Sequence, residues 1–247
     1  MTDASIPTTG FVESDFRVGR VLGRTSSVLK RNFLIFFVVT AIATLPMYLV
    51  LQRAVGDPLQ TSQLKGLGIF VALVLTSLSQ AIVVYGAFQD MLGRRVDLGQ
   101  SVQVGLRRFF PILGLAISVT LLGILGLIAL LVPGLILLTR WFVAMPACVV
   151  EELGVSSSMR RSAQLTKGHR WKIFGVMLVL LIADAIANHT IDLTLSSIAN
   201  GYPALAGHVI WGGIWDAFYA IFAVVTYHDL RVAKEGVDTV EIAAVFE

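Results

Sequence analysis

Six apolar runs, separated by short polar segments, constrain this chain more than any other feature of its sequence. About 20 helical residues cross a hydrocarbon core that is ~30 Å thick, and each run is long enough to span it. The runs cover residues of about 33–51, 66–89, 111–132, 134–150, 171–198 and 207–228. The pattern therefore predicts six transmembrane helices.

The composition supports a membrane protein over a soluble one. Hydrophobic residues make up 56% of the chain and charged residues only 14%, whereas a soluble domain carries about 25% charged residues. The sequence predicts an all-α, polytopic membrane bundle over residues 15–236. Residues 1–14 are expected to form a flexible N-terminus, and residues 237–247 a cytoplasmic tail.

The third and fourth runs are separated only by Val132, Pro133 and Gly134. Proline and glycine end one helix and allow another to begin. One kinked helix is the alternative, but about 40 residues would be twice the length that the bilayer requires. The sequence therefore favours a tight hairpin.

Lysine and arginine residues are concentrated in alternate connections, which such residues keep on the cytoplasmic side of a membrane. The first loop of the opposite side holds Arg53 and Lys65, and its other two loops hold none. The cations of the basic connections and tail are Arg17, Arg20, Arg24, Lys30, Arg31, Arg94, Arg95, Arg107, Arg108, Arg160, Arg161, Lys167, Arg170, Lys172, Arg231 and Lys234. Both termini are therefore expected in the cytoplasm.

The basic segments before the first, third and fifth runs are predicted to contact lipid headgroups. In the first, apolar and basic positions separate onto two faces, as in a helix that lies on an anionic membrane surface; a solvated segment that only sets topology is the alternative. The headgroup contacts are expected from Arg17, Arg20, Arg24, Arg107, Arg108, Arg160, Arg161, Lys167 and Arg170. The predicted partners are anionic membrane lipids and a protein partner of unknown identity, and no nucleic acid.

Three hairpins, each preceded by a basic amphipathic segment, suggest a threefold repeat. Each hairpin also leaves the membrane at an acidic residue, namely Asp90, Glu151 with Glu152, or Asp229. Any chain that obeys the charge rule would show much of this pattern, but the acidic exits go beyond that rule. A true hairpin repeat and a by-product of the charge rule are therefore the two interpretations of this pattern.

Several polar residues lie inside the apolar runs. Ionisable groups within a membrane usually turn inward and pair, so we expect a buried polar cluster of Arg140, Asp184, Asn188 and Asp216. The small residues around Asp184 and Asp216 favour close helix packing. The cluster is interpreted as a structural pin for the bundle, with a proton or substrate relay as the alternative.

Signatures of catalysis and of metal binding are weak. His189 and Asp192 are three residues apart, and His208 could lie nearby, but no second ligand motif accompanies them. The sequence has no phosphate loop and no serine nucleophile elbow. We therefore predict no catalytic residues, no metal and no cofactor.

Three segments resemble a known family. They are Pro133–Gly154 (PGLILLTRWFVAMPACVVEELG), Arg160–Leu180 (RRSAQLTKGHRWKIFGVMLVL) and Thr226–Gly236 (TYHDLRVAKEG). They resemble the membrane domain of glycerophosphoryl diester phosphodiesterases and related stand-alone bacterial inner-membrane proteins of unknown function. The resemblance implies a bacterial inner-membrane location. In the fused proteins the hydrolase is a separate soluble barrel, so no activity is carried over to this chain.

These observations predict an integral inner-membrane protein without catalytic activity of its own. Its expected role is to organise the membrane or to recruit a lipid-handling partner at the cytoplasmic leaflet. The alternative is a transporter or channel for a small solute or a lipid that uses the buried cluster of arginine and aspartate.

Overall fold

A computed structural model describes residues 17–53, 58–129, 131–195 and 202–235. The predicted flexible N-terminus (1–14) and cytoplasmic tail (237–247) lie outside these ranges. Every regular element of the described residues is an α-helix. In chain order the helices are α1 (Val18–Arg31), α2 (Phe33–Arg53), α3 (Pro58–Met91), α4 (Leu98–Arg107), α5 (Phe109–Ala129), α6 (Leu131–Arg140), α7 (Ala144–Val150), α8 (Val155–Leu165), α9 (Arg170–Leu195) and α10 (Tyr202–Glu235).

Five helices of the described chain are long and apolar enough to cross a membrane: α2, α3, α5, α9 and α10. The prediction of a helical membrane bundle is thus confirmed, whereas the six spans and the threefold repeat stay predictions. The fourth apolar run is divided between α6 and α7 by turns at residues 141–143. Pro146 lies in the first turn of α7, where its missing N–H is tolerated. In a continuous helix its ring would clash with the carbonyl of Phe142.

Glycines hold α5 and α6 against each other. A Cβ on Gly134 would lie 2.5 Å from the backbone nitrogen of Leu127, and one on Gly123 would lie 2.9 Å from Leu138. The facing positions run in opposite directions along the two helices, so the helices are antiparallel. A tight hairpin is therefore present, as predicted, but α6 begins at Leu131, so Pro133 and Gly134 lie in its first turn and not between the two helices.

The short helices α1, α4 and α8 lie at one end of the bundle, which we call the basic side. Each buries one face: α1 buries Val21, Thr25 and Val28, and α8 buries Ser158, Ser162 and Leu165. Positions three or four residues apart share a helix face. The opposite faces carry the exposed basic residues. The amphipathic pattern of the sequence thus sets how these helices dock.

The core is concentrated at the basic side, around the C-terminal half of α10. Residues 220–230 are all buried, where α10 packs against α1, α2, α3 and α7. A helix that is buried on all sides needs neighbours all round. In contrast, only 6% of the residues of α9 are buried within the protein, so most of this helix lies on the outer surface of the bundle.

Candidate functional site

The break between α6 and α7 frees a main-chain carbonyl in the middle of an apolar run. In a continuous helix the carbonyl of Arg140 would accept a hydrogen bond from the backbone N–H of Ala144, but that N–H binds the carbonyl of Trp141 instead. The hydroxyl of Ser162 donates to the Arg140 carbonyl at 2.9 Å, and that of Thr166 lies 3.3 Å from it. The Ser162 hydroxyl therefore satisfies a backbone group that lipid could not, whereas the Thr166 hydroxyl makes its shorter contact, at 2.9 Å, with the carbonyl of Ser162.

Arg140 does not join the buried cluster that the sequence predicts. Its side chain is exposed at the end of α6, and within the described chain no ion pair links it to Asp184 or Asp216. The prediction placed Arg140 inside a continuous span, but the break ends α6 at this residue. The side chain lines a groove between α5 and α8 instead.

The other predicted members of the cluster lie on α9 and α10, and all are partly buried. The indole N–H of Trp211 donates to Oδ1 of Asp184 at 2.8 Å, and the side-chain amide of Asn188 donates to the same oxygen at 3.0 Å. His208 joins the network through both ring nitrogens, at 3.1 Å from Oδ1 of Asn188 and 2.9 Å from Oδ1 of Asp192. The stripe of polar residues on α9 is thus paired across to α10.

A tyrosine of α2 closes this network. The ring of Tyr48 stacks on that of His208 with centroids 5.4 Å apart, and it packs against Gly212. Asp216 lies one helical turn beyond Gly212, close enough for its carboxylate to interact electrostatically with that of Asp184. Asp216 makes no ion pair with any described residue. The structure therefore brings together Asp184, Asn188 and Asp216, without the predicted cation.

These contacts resemble a structural polar network more than a metal centre. Both ring nitrogens of His208 are already hydrogen-bonded, and His189 is exposed. The described residues contain no group of three or more His, Cys, Asp or Glu side chains that could hold a metal ion. The network can fix the register of α9 against α10.

At the end of each hairpin one acidic residue, namely Asp90, Glu151 or Asp229, binds an arginine of a short helix. Nη1 of Arg24 donates to Oδ1 of Asp229 at 3.0 Å, and Nε of Arg31 donates to Oδ1 of Asp90 at 3.3 Å. Nε of Arg161 lies 2.8 Å from Oε1 of Glu151. The hydrogen bond from Arg31 to Asp90 raises the pKa of the guanidinium. These hydrogen bonds between arginines and acidic residues therefore hold α1 and α8 against the ends of the hairpins.

Arg161 is the most heavily bonded of these arginines. Besides Glu151 it binds Glu235, with Nη2 at 3.0 Å from Oε2, and the hydroxyl of Tyr227 donates to Glu151 at 2.6 Å. These carboxylates, Glu235 foremost, raise the pKa of Arg161. Arg161 thus ties α8 to the loop after α7 and to the end of α10.

The predicted headgroup contacts divide into three groups. Arg24 and Arg161 bind carboxylates of the protein, which the sequence prediction did not anticipate. In Arg108, Nε and Nη2 are buried without a hydrogen-bond partner among the described residues, and Nη2 of Arg170 donates to the carbonyl of Ala163 at 3.2 Å. The remaining residues are exposed and in no described ion pair: Arg17, Arg20, Arg107, Arg160 and Lys167.

A second groove, with a volume of about 360 Å³, lies between α6 and α9. Its walls are almost entirely apolar and include Leu135, Ile136 and Phe174, and Arg170 lies at its rim beside Trp171. The Trp171 side chain is 79% exposed, which suits an anchor at the membrane interface. This groove can accept an acyl chain.

The sequence prediction missed several residues at the break between α6 and α7 and in the polar network of α9 and α10. Ser162 and Thr166 lie four residues apart and so share one face of the α8 region, but nothing in the sequence showed that a carbonyl would need them. Tyr48 and Trp211 lie in apolar runs, where an aromatic residue usually serves as packing. A signal was available in Pro146, because proline predicts a local end to a helix.

Comparison with known proteins finds one family that is similar to part of this chain. Residues 110–209 match the membrane domain of glycerophosphoryl diester phosphodiesterase. The resemblance predicted from the sequence is thus confirmed over this segment, which extends from the start of α5 to the first quarter of α10. The match to this membrane domain includes Arg140, Ser162, Thr166 and the paired residues Asp184 and Asn188. No curated protein and no solved structure matches the chain.

Proposed function

We propose that this integral membrane protein organises the membrane, or recruits a lipid-handling partner, by binding anionic lipid at the cytoplasmic leaflet. In this proposal the protein lies in a bacterial inner membrane with its basic side towards the cytoplasm. It has no catalytic activity of its own. A preparation of the purified chain that released glycerol phosphate from glycerophosphodiesters would contradict the last point.

One observation carries the proposal: exposed cations at the basic side that have no carboxylate partner among the described residues. They lie on three separate segments, with Arg17 and Arg20 on the first, Arg107 on the second, and Arg160 and Lys167 on the third. Each basic residue close to an anionic surface contributes about 1 kcal/mol of attraction. By contrast, the arginines bound to Asp90, Glu151 and Asp229 are used within the protein.

A transporter that uses a buried arginine–aspartate cluster is less well supported. Arg140 lies outside the cluster, and Asp184 is occupied by Trp211 and Asn188. The long helices α9 and α10 run without a break past Asp184 and Asp216. Transporter sites are more often built where helices are interrupted at mid-depth.

The test compares the lipids that surround the protein with those of the whole membrane. The protein is extracted directly into polymer-bounded discs, and the lipids of the discs are quantified by mass spectrometry. We expect anionic lipid to be enriched around the parent protein, and less so when Arg17, Arg20 and Arg107 are all changed to Gln. The same three residues changed to Lys are the matched control, which should retain the enrichment. Discs of the parent with the composition of the bulk membrane would contradict the proposal.

A further inference from the structure

We propose that the groove between α5 and α8 binds one anionic phospholipid whose headgroup carries two negative charges, held by Arg140 and Arg160. This inference rests on the proposed function, because it assigns a specific lipid site to a protein proposed to bind anionic lipid. It concerns a single lipid-binding site, which is distinct from the general attraction of anionic lipids to the basic side.

The groove has a volume of about 470 Å³ and places two guanidinium groups beside an apolar wall. Its walls include Leu122, Trp141, Met159 and Ser156, together with the two arginines. Both arginine side chains are exposed, and neither forms an ion pair with a described residue. Glu151 shares a neighbouring hollow with Arg160, but its carboxylate is held by Arg161 and Tyr227.

The helix break explains why Arg140 can serve such a site. Arg140 is the last residue of α6, and the negative end of a helix dipole favours a cation there. Its main-chain carbonyl accepts the hydrogen bond of Ser162, so the backbone is held while the side chain stays available. A bound anion would pair with this side chain, which forms no ion pair with a described residue.

The apolar wall indicates a phospholipid and not a free phosphate. Leu122 is 39% exposed, and the neighbouring Leu121 and Leu125 on α5 are exposed as well. These leucines continue the wall of the groove along the lipid-facing surface of α5. An acyl chain can therefore lie along α5 while the headgroup stays between α5 and α8.

Two unpaired cations favour two negative charges on the headgroup. Guanidinium groups bind phosphate oxygens through charge-assisted and often bidentate hydrogen bonds. A phosphodiester with a single negative charge would leave one of the two arginines uncompensated. A phosphomonoester, which carries close to two charges near neutral pH, matches both. The hydroxyl of Ser156, which also lines the groove, can donate a further hydrogen bond.

The experiment measures lipid binding to the purified full chain in detergent by native mass spectrometry at about pH 8, where a phosphomonoester is fully ionised. The lipids are phosphatidate, phosphatidylglycerol and phosphatidylcholine with the same chains, and glycerol 3-phosphate as the headgroup without chains. We expect phosphatidate to bind about tenfold more tightly than phosphatidylglycerol, since one further charge is compensated. Phosphatidylcholine and glycerol 3-phosphate should bind more weakly than either.

Substitutions of the two arginines test whether phosphatidate binds in the groove. Arg140→Gln and Arg160→Gln should each weaken phosphatidate binding about tenfold and abolish its advantage over phosphatidylglycerol. Arg140→Lys should restore part of it. Arg94→Gln removes the same charge from an exposed residue outside the groove and should leave the preference unchanged. The unfolding temperature of Arg140→Gln should match that of the parent, because the main chain and not the side chain makes the contacts to α8.

The outcomes separate this inference from the proposed function. Equal binding of phosphatidate and phosphatidylglycerol by the parent, or unchanged binding in Arg140→Gln and Arg160→Gln, would overturn the assignment to the groove. If anionic lipids were still preferred over phosphatidylcholine, and the preference fell when Arg17, Arg20 and Arg107 were changed to Gln, the proposed function would stand without the groove. No preference for any anionic lipid would overturn both.

Discussion

The hydroxyl of Ser162 donates a 2.9 Å hydrogen bond to the main-chain carbonyl of Arg140, across the interface between α8 and α6. This contact joins a helix of the basic side to a break within an apolar run. The position of Arg140 therefore depends on α8. Loss of the Ser162 hydroxyl should destabilise the turn that separates α6 from α7.

Ser162→Ala should destabilise the protein by about 1–3 kcal/mol, because it leaves a carbonyl in an apolar setting with a weaker partner. The measurement is unfolding of the purified protein in detergent, followed by intrinsic tryptophan fluorescence. Ser157→Ala is the matched control, since Ser157 lies on the same helix and is exposed. Equal stability of the two variants would show that the break does not need the hydroxyl.

Arg161 and Glu151 should be energetically coupled. Their side chains are only 22% and 18% exposed, so solvent screens this pair less than it screens a surface pair, for which coupling is about 0.2–1 kcal/mol. A double-mutant cycle with Arg161→Ala and Glu151→Ala should give a coupling of about 1–2 kcal/mol. The pair of Arg24 and Asp229 can be measured in parallel, and should give less because Arg24 is 51% exposed. A coupling near zero for the first pair would contradict its role as a fastener of α8.

Asp184 and Asp216 should respond differently to removal of their carboxylates. Asp184→Ala leaves the Trp211 N–H and the Asn188 amide without their acceptor, which should cost about 1–3 kcal/mol. Asp216→Ala removes a partly buried carboxylate that has no ion-pair partner in the described chain, and should cost less or even stabilise. Thermal unfolding in detergent compares the two. A larger loss for Asp216→Ala would contradict the assignment of Asp184 as the centre of the network.

Gly134→Ala should disrupt the hairpin of α5 and α6, because the added Cβ would meet the backbone of Leu127 at 2.5 Å. Backbone cannot give way as a flexible side chain can, so we expect a loss of about 1–3 kcal/mol or more. Gly175→Ala is the control, since a Cβ there meets nothing within 4 Å, and it should be neutral or slightly stabilising. The yield of monodisperse protein and the unfolding temperature are the measurements. A Gly134→Ala variant as stable as the parent would contradict the close approach.

The orientation in the membrane can be tested with single introduced cysteines. Ser157→Cys places a thiol on the basic side, and Tyr202→Cys places one at the opposite end of α10, where the side chain is 67% exposed. The native Cys148 is buried, so the parent serves as the unlabelled control. A membrane-impermeant maleimide, added to intact cells with a permeabilised outer membrane, should label the Tyr202→Cys variant. It should label the Ser157→Cys variant only after lysis, and the reverse pattern would overturn the expected topology.

Hydropathy and charge in the sequence were sufficient to predict the long helices and the amphipathic character of the first short one, but not its docking against α10. The limits of α2 and α9 follow from where the apolar residues begin, and the buried face of α1 follows from the spacing of Val21 and Val28. The acidic exits at Asp90, Glu151 and Asp229 were visible as well, although their arginine partners were not.

The partners of the polar residues could not be predicted from the sequence, because they depend on how the helices rotate against each other. Arg140 is the clearest case. A lone cation in an apolar run usually turns inward, but the break caused by residues 141–146 turns it towards a groove. Asp184 binds Trp211 of α10, a pairing that depends on how α9 and α10 are rotated and that periodicity does not encode. The hydroxyl pair of Ser162 and Thr166 became meaningful only once the free carbonyl was known.

The contact between α1 and α10 has a consequence for biosynthesis. Arg24 of the first helix binds Asp229 of the last, and the half of α10 that fills the centre of the basic side is the final part of the bundle to leave the ribosome. Until α10 is inserted, α1, α2, α3 and α7 lack the surface that they pack against. Completion of the bundle therefore depends on a contact between its first and last described helices that can form only after α10 has been inserted, and an insertion intermediate halted before α10 would leave the apolar surfaces of its partner helices uncovered.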